Sequence, residues 1–369
     1  MKNLRCELKQ TLDNSYTIEI GQGLVNILMN DICEGAFGKI KNFAVITDSN
    51  VMELYGMKIF EAIKNAGFRV EIFAFNAGEL SKTRETKSLI EDSMLSCGFR
   101  RDCMVIAVGG GVVSDLAGFI AGTYGRGVPF VIYSTTLLSG ADASVGGKVA
   151  VDTHLATNQI GLFYQPKKVY IDLATWRTLP VRQMKSGLAE TIKHACIADY
   201  NFFEYLEENL EKVFEFDGAV CEEIAQRNCE IKYSVVMNDE REKGMREILN
   251  LGHTVGRAIE TTSGYRLLHG EALSIGLTAQ LYLGIKRGYI SQENADRVIT
   301  LLKKAGLAIE IPDYINRDEL FDKLYTDKKV RDGKLRFVFQ KEIGGIMEFG
   351  DSYADYVDSE EIKAVLDNM

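Results

Sequence analysis

Four histidines occur in 369 residues, at positions 154, 194, 253 and 269, and two of them sit in settings that suit chemistry. LGHTVG places His253 beside a glycine at a helix start, and LLHGEA does the same for His269. GLAETIK puts Glu190 and Lys193 three residues apart on one helical face. One carboxylate, two imidazoles and an open position make a workable catalytic zinc set. The spacing matches no short metalloprotease motif, so helix caps and a surface ion pair are the competing reading. His154 and His194 take the cap or core reading.

A second group of residues suits phosphate. GGGVVSDLAG follows the apolar run VIAV at once, so a glycine turn lies at the carboxyl end of a strand and the amino end of a helix. Backbone N–H groups can face an anion there. Gly109 and Gly111 fit the dinucleotide fingerprint, but Ser114 stands where its third glycine belongs. Asp48, at another strand end, can accept from a ribose hydroxyl or cap the next helix. STTLLSGADASVGGKVAVDT carries Thr135, Thr136, Asp142 and Lys148 around a Gly146-Gly147 turn, and reads either as a site loop at the sheet edge or as a merely polar connection. Arg126, Lys148, Lys193, Lys232, Arg246, Lys328 and Lys329 fall within or beside these segments, which suits a small anionic substrate. Solvated lysines are the commoner case, above all Lys328 and Lys329 in the polar run TDKKVRDGK.

These residues need a scaffold, and the pattern of the chain supplies one. Short β-branched runs alternate with helical segments through the first half: strands at 43–47, 69–75, 103–108 and 130–134, helices at 53–66 and 83–97. That alternation predicts right-handed βαβ units and a parallel sheet. From about Pro180 apolar residues recur at three-and-four spacing with few strand formers between them, which predicts a helical half. KLRFVFQ and GIMEFG read as a short strand pair across Glu342-Ile343-Gly344, followed by one amphipathic helix. The expected fold class is an α/β nucleotide-binding domain with a parallel sheet over residues 1–179, and a mainly α-helical metal- and substrate-binding domain over 180–369, with the site in the cleft between them.

Composition narrows the function classes. Forty-three Lys and Arg against 52 Asp and Glu give a formal charge of −9, which argues against nucleic acid as the main partner but leaves room for a local basic pocket. No run approaches the roughly 20 apolar residues that span a bilayer, and MKNLRCELKQ lacks a signal peptide's apolar region, so a cytoplasmic protein without membrane contact is expected. Seven scattered cysteines without a C-x-x-C pair predict buried thiols rather than disulfides or a thiolate zinc site.

In this order the segments GGGVVSDLAGFIAGTYGRG, STTLL, DASVGGK, GLAETIK, EIKYSVV, DERE, LNLGHT and HGEA closely resemble 3-dehydroquinate synthases, within the sugar phosphate cyclase superfamily. The resemblance runs from GELSK near 80 to DKKVRDGKLRFV near 335. It implies NAD and one divalent metal, zinc or cobalt, in the cleft of a homodimer. Glu190, His253 and His269 would hold the metal. NAD would lie over Asp48, Glu79, Lys82, the turn Gly110, Gly111, Val112, Val113, Ser114 and Asp115, then Thr135, Thr136, Asp142 and Thr178, with Lys148 and Thr157 alongside. Lys148, Asn158, Lys193 and Arg126 would grip the substrate's phosphate, Arg126 reaching from the partner subunit, with Asn250 nearby. Lys232 and Arg246 would meet a carboxylate, and Lys328 or Lys329 would close the site.

The implied reaction turns 3-deoxy-D-arabino-heptulosonate 7-phosphate into 3-dehydroquinate and phosphate, in the shikimate route to aromatic amino acids. It proceeds by transient NAD oxidation, phosphate elimination, reduction and intramolecular aldol closure. Two positions depart from the family pattern: Ala156-Thr157-Asn158 replaces G-K-N, and Arg257 replaces the second histidine of G-H-T-x-G-H. The lost lysine and gained arginine would compensate in charge. The same differences suit a cyclase of the 2-deoxy-scyllo-inosose or valiolone type, and an NAD- and metal-dependent polyol dehydrogenase is a more distant alternative.

Overall fold

A computed structural model describes residues 3–8, 13–325 and 335–369. Lys328 and Lys329 lie outside the described residues. The first half is built on β1 (Thr17–Gly21), α1 (Val25–Glu34), β2 (Asn42–Asp48), the short α2 (Ser49–Val51), α3 (Met57–Asn65), β3 (Arg69–Phe75), α4 (Arg84–Ser96), β4 (Cys103–Gly109), α5 (Gly111–Thr123) and β5 (Phe130–Ser134). A hairpin of β6 (Lys148–Val151) and β7 (Ile160–Phe163) and a last strand β8 (Lys168–Asp172) follow. Six strands form one parallel sheet in the order β1-β8-β5-β4-β2-β3. All seven residues of β4 are buried, as expected for a central strand covered on both faces.

The strand order reverses between β2 and β4, since β3 lies outward of β2 while β5 lies on the far side of β4. A crevice therefore opens beyond the carboxyl ends of these two strands, which is where open α/β sheets take ligands. Asp48 closes β2 and Gly109-Gly110-Gly111 closes β4 at this crevice. The periodicity reading of β2 to β5 holds. The segment 139–151 departs from expectation: it is a wide helical turn, Ser139–Ala143, running into the β6–β7 hairpin, because Val149 and Val151 pack inward and Val149 lies against Gly118 of α5.

The second half consists of α6 (Val181–Ala198), α7 (Tyr200–Phe214), α8 (Gly218–Asn238), α9 (His253–Thr262), α10 (His269–Lys286), α11 (Gln292–Lys304) and α12 (Arg317–Leu324). It ends with β9 (Leu335–Val338), β10 (Gln340–Glu342), β11 (Gly345–Ile346), β12 (Ala354–Val357) and α13 (Ser359–Leu366). The expected strand pair is half right: β10 meets β11 around Ile343-Gly344, but β9 pairs with β12, which brings Phe337 and Val357 into a core shared with α13. Cys103, Cys196, Cys221 and Cys229 are buried, whereas Cys6, Cys33 and Cys97 are exposed, contrary to the expectation for those three.

Two close helix approaches come from glycines on α10. A Cβ built on Gly276 would meet Gly252 O at 2.1 Å and Gly256 N at 2.6 Å, so α9 and α10 touch backbone to backbone. A Cβ on Gly270 would meet Ser186 O at 2.0 Å, so α10 also presses on α6. Neither position can take a side chain without moving a helix. Gly270→Ala and Gly276→Ala are each expected to destabilise the protein by about 1–3 kcal/mol, measured as a lowered unfolding midpoint in urea; an unchanged midpoint would show that the helices can part at no cost.

Candidate active site

The glycine contacts determine which side chains meet. Glu190 projects from the middle of α6, His253 from the first turn of α9 and His269 from the first turn of α10, and their ligand atoms lie within 4.8 Å of one another. Glu190 Oε1 is 3.0 Å from His269 Nε2 and 3.5 Å from His253 Nε2. The far side of each ring fixes its tautomer. His269 Nδ1 stands 3.1 Å from the Glu260 carboxylate, and His253 Nδ1 stands 3.3 Å from the Leu251 carbonyl. Both partners only accept, so each Nδ1 carries a proton, and with both rings neutral each Nε2 would turn a lone pair toward a carboxylate oxygen.

Three acceptors facing one another require a cation between them. In the metal-free arrangement His269 supplies it: burial opposes its charge, but Glu260 and Glu190 overcome that and push its pKa up to about 10. Burial and the Lys193 ammonium instead push His253 down to about 3. Glu190 is fully buried, yet Lys193, paired with its Oε2, and the two imidazoles hold it well below the usual carboxylate range. The donor set fits a divalent ion of the zinc or cobalt kind, with the Glu260 carboxylate and the Leu251 carbonyl as the supporting shell.

A second set, Asp142, Glu190 and His194, is equally compact. Its charge is already matched: Lys232 Nζ lies 2.7 Å from Asp142 Oδ1, and Lys193 holds Glu190. Lys232 thereby keeps Asp142 well below its usual pKa despite burial. For His194 the sequence predicts a cap or core residue. It is a core residue with a polar environment, its Nδ1 2.9 Å from Asn228 Oδ1 and its Nε2 3.7 Å from Asp142. The spacing of four from Glu190 on one helix was the signal available for it.

Around the crevice of the sheet, Lys82 forms a buried hub. Its Nζ reaches Asp115 Oδ2 at 2.8 Å, Asn158 Oδ1 at 2.7 Å and Glu79 Oε1 at 3.2 Å. Asn158 thus sits with Lys82, not with Lys148 and Lys193 as the sequence reading grouped it. Its backbone N–H donates to Asp152, a carboxylate that sequence reasoning missed and that burial raises to about 6. The first amides of α5 have no side-chain cap, and Thr135 Oγ1 beside them is buried without a partner. This is a cradle that fits a dinucleotide's phosphates. Asp48 caps α2 through the N–H groups of Asn50 and Val51, and Thr136 Oγ1 accepts from Ser139 N. Thr178 is engaged with Tyr55 at 2.6 Å.

A third cluster faces the metal-ligand set from the β6 side. Lys148 Nζ pairs with Glu242 at 2.6 Å, and Asn250 Nδ2 donates to the same carboxylate at 2.9 Å. Burial, with Arg246 and Arg257 near, lowers Lys148 to about 8. Arg246 is 1% exposed and donates to the Glu240 and Gly146 carbonyls at 2.6 and 3.0 Å, while its Nε has no partner. Arg126 stands apart. It follows α5 at the end away from Gly110, about 20 Å along a 13-residue helix.

Comparison with known proteins bears on this geometry. Residues 72–186 match the family described as 3-dehydroquinate synthase N-terminal, and residues 187–330 match 3-dehydroquinate synthase C-terminal. The 3-dehydroquinate synthase of Desulforamulus reducens is 44% identical over 340 residues, covering 92% of this chain and 94% of the relative. That of Pelobacter propionicus is 42% identical over 90% of this chain and 92% of the relative. The chain belongs to the 3-dehydroquinate synthase family. Among solved structures, 2-epi-5-epi-valiolone synthase from Streptomyces hygroscopicus, with NAD⁺ and Zn²⁺ bound, superposes with a TM-score of 0.87 at 25% identity over 99% of both chains. A 2-deoxy-scyllo-inosose synthase, complexed with carbaglucose-6-phosphate, NAD⁺ and Co²⁺, gives 0.85 at 25% identity over 95% of this chain and 96% of that one. An NADH-dependent butanol dehydrogenase from Thermotoga maritima shares the fold, with a TM-score of 0.69, at 14% identity over 97% of this chain and 98% of that one.

The His269 proton has a measurable consequence. Its folded pKa is raised from 6.5 to about 10, so the stability it contributes is complete below about pH 6.5 and is lost as pH rises toward 10. The unfolding midpoint of metal-free protein is therefore expected to fall across that window, and a saturating divalent ion should flatten the fall. A metal-free midpoint that stays level from pH 6.5 to 10 would refute the assignment.

Proposed function

We propose that the chain converts 3-deoxy-D-arabino-heptulosonate 7-phosphate into 3-dehydroquinate and phosphate, as an NAD- and metal-dependent lyase that closes a ring. Family membership over most of the chain carries the reading, and the convergence of Glu190, His253 and His269 beside a dinucleotide cradle supplies the site. When bound, the metal would polarise a substrate hydroxyl and NAD would accept and return a hydride. The remaining work is that of the chain: to bind two anionic ends, hold the reacting carbons in register and exclude water.

Glu190, His253 and His269 hold the metal, with Glu260 orienting His269. Lys82, Glu79, Asp115 and the amides of the Gly110–Asp115 turn face the dinucleotide, with Asp48, Thr135, Thr136, Asp142, Thr157 and Thr178 along its length. Lys148, Lys193 and Asn250 receive the phosphate, and Arg257 adds a second guanidinium there. Arg246 and Lys232 receive the carboxylate. The Arg246 side chain is buried on carbonyl partners alone, with an unpaired Nε. A buried guanidinium in that state favours a substrate with a carboxylate over the carboxylate-free sugar phosphates of the two related cyclases. Lys328 and Lys329 are assigned to closure on the resemblance alone. We further infer a division of the chain at 179/180, a cytoplasmic location and a homodimer. The distance of Arg126 from its own crevice supports the dimer, since that residue could serve a partner's site. No helix among the described residues is long and apolar enough to cross a membrane.

Phosphate release from the heptulosonate phosphate, with catalytic NAD⁺ and zinc and no accumulating absorbance at 340 nm, is the expected result. Net NADH would point to a dehydrogenase, and turnover of a hexose 6-phosphate in its place would point to the scyllo-inosose type. Arg257→Ala should raise KM for the phosphate substrate by about tenfold, the size of one charge-assisted hydrogen bond. Unchanged KM and kcat would remove Arg257 from the site.

A further inference from the structure

Glu242 is held in an unusual way. Its φ is +56°, in the left-handed region that a residue with a side chain adopts only under constraint. The constraint is visible: the Asp239 carboxylate accepts the N–H groups of Lys243 and Gly244 at 2.8 Å and of Arg246 at 3.0 Å, which winds the segment into a tight turn. The turn sets the partly exposed Glu242 carboxylate against Lys148 and Asn250. There Lys148 Nζ donates to Oε2 at 2.6 Å and Asn250 Nδ2 to Oε1 at 2.9 Å. The charge of Arg257 reaches both Glu242 and Lys148. One carboxylate of the chain thus engages two of the groups assigned above to the substrate's phosphate, with a second cation, Arg257, close by.

We propose that Glu242 is a charge-matched placeholder for the substrate's phosphate, and that the need to displace it makes the site select a dianion over a monoanion. The proposal rests on the phosphate contacts assigned under the proposed function. An incoming monoanion replaces one unit of negative charge by another and gains nothing on Lys148, Asn250 and Arg257. A dianion gains the second unit, and the Glu242 carboxylate, already partly exposed, swings outward to solvent. The exchange runs backward after elimination: Glu242 competes with inorganic phosphate for Lys148 and helps to expel it. Glu242 is a positioning and selecting residue, not one that touches the reacting carbons.

Sulfate and perchlorate have one shape and different charge, so calorimetry on the NAD- and zinc-loaded protein at constant ionic strength tests the idea. The native chain should bind sulfate and show no heat with perchlorate. Glu242→Gln should tighten sulfate by about tenfold and make perchlorate binding measurable. Glu242→Gly, which also relieves the positive φ, should do the same. In turnover Glu242→Gln should lower KM and kcat together and strengthen inhibition by phosphate, whereas loss of a merely structural contact would raise KM. Sulfate affinity unchanged or weakened in both variants overturns the placeholder. Lys148→Met separates the two levels of the argument. It should abolish sulfate binding, and if sulfate still binds, the phosphate contacts themselves are wrong.

Discussion

Backbone contact between helices is the constraint on which the site depends. Helices that pack through side chains keep their axes roughly 8–10 Å apart. At Gly276 and Gly270 there is no side chain to hold α10 off, and its backbone rests on Gly252 of α9 and Ser186 of α6. Glu190, His253 and His269 come from three different helices, and their ligand atoms fall within 4.8 Å only because those helices close so tightly. The three residues are then preorganised by the core rather than by a loop, which suits a site that must hold a metal in fixed geometry.

The same closeness creates an electrostatic problem that the chain solves locally. The protein as a whole carries −9, yet the cleft gathers Lys148, Lys193, Lys232, Arg246 and Arg257. The buried cations are each answered by a specific acceptor, Glu190 for Lys193, Asp142 for Lys232 and carbonyls for Arg246, and Glu242 answers Lys148, whose side chain is 46% exposed. A buried charge left unmatched would be costly. The acceptors of Lys148 and Arg246 differ in kind, and that difference separates an anion site already filled from within from one awaiting a carboxylate.

Much of this was legible in the residues. The central strands β2 to β5 announce themselves because both faces are buried and the runs are continuously β-branched. Glu190, His253 and His269 stood out because the chain has so few histidines. What escaped was set by tertiary contact. β6 and β7 are four residues each, too short for a period to show, and β1 is five residues at the edge of the sheet. Glu260 is unremarkable on α9 until His269 arrives from another helix. Asn158 looked like a phosphate ligand, but its own left-handed backbone turns it toward Lys82. Glu242 closes the DERE segment that contributes to the resemblance, but nothing in the sequence gives its carboxylate a role, since its position follows from the Asp239 turn.

One hydrophobic cluster runs from β4, β5 and α5 of the sheet half, through Leu137 and Trp176, into α6, α7, α8 and α11 of the helical half without interruption. The division of labour proposed near Pro180 is therefore not a mechanical one. A chain cut there would expose apolar surface on both pieces, and the two halves should melt as a single cooperative unit. Any opening of the cleft has to keep that shared interior covered.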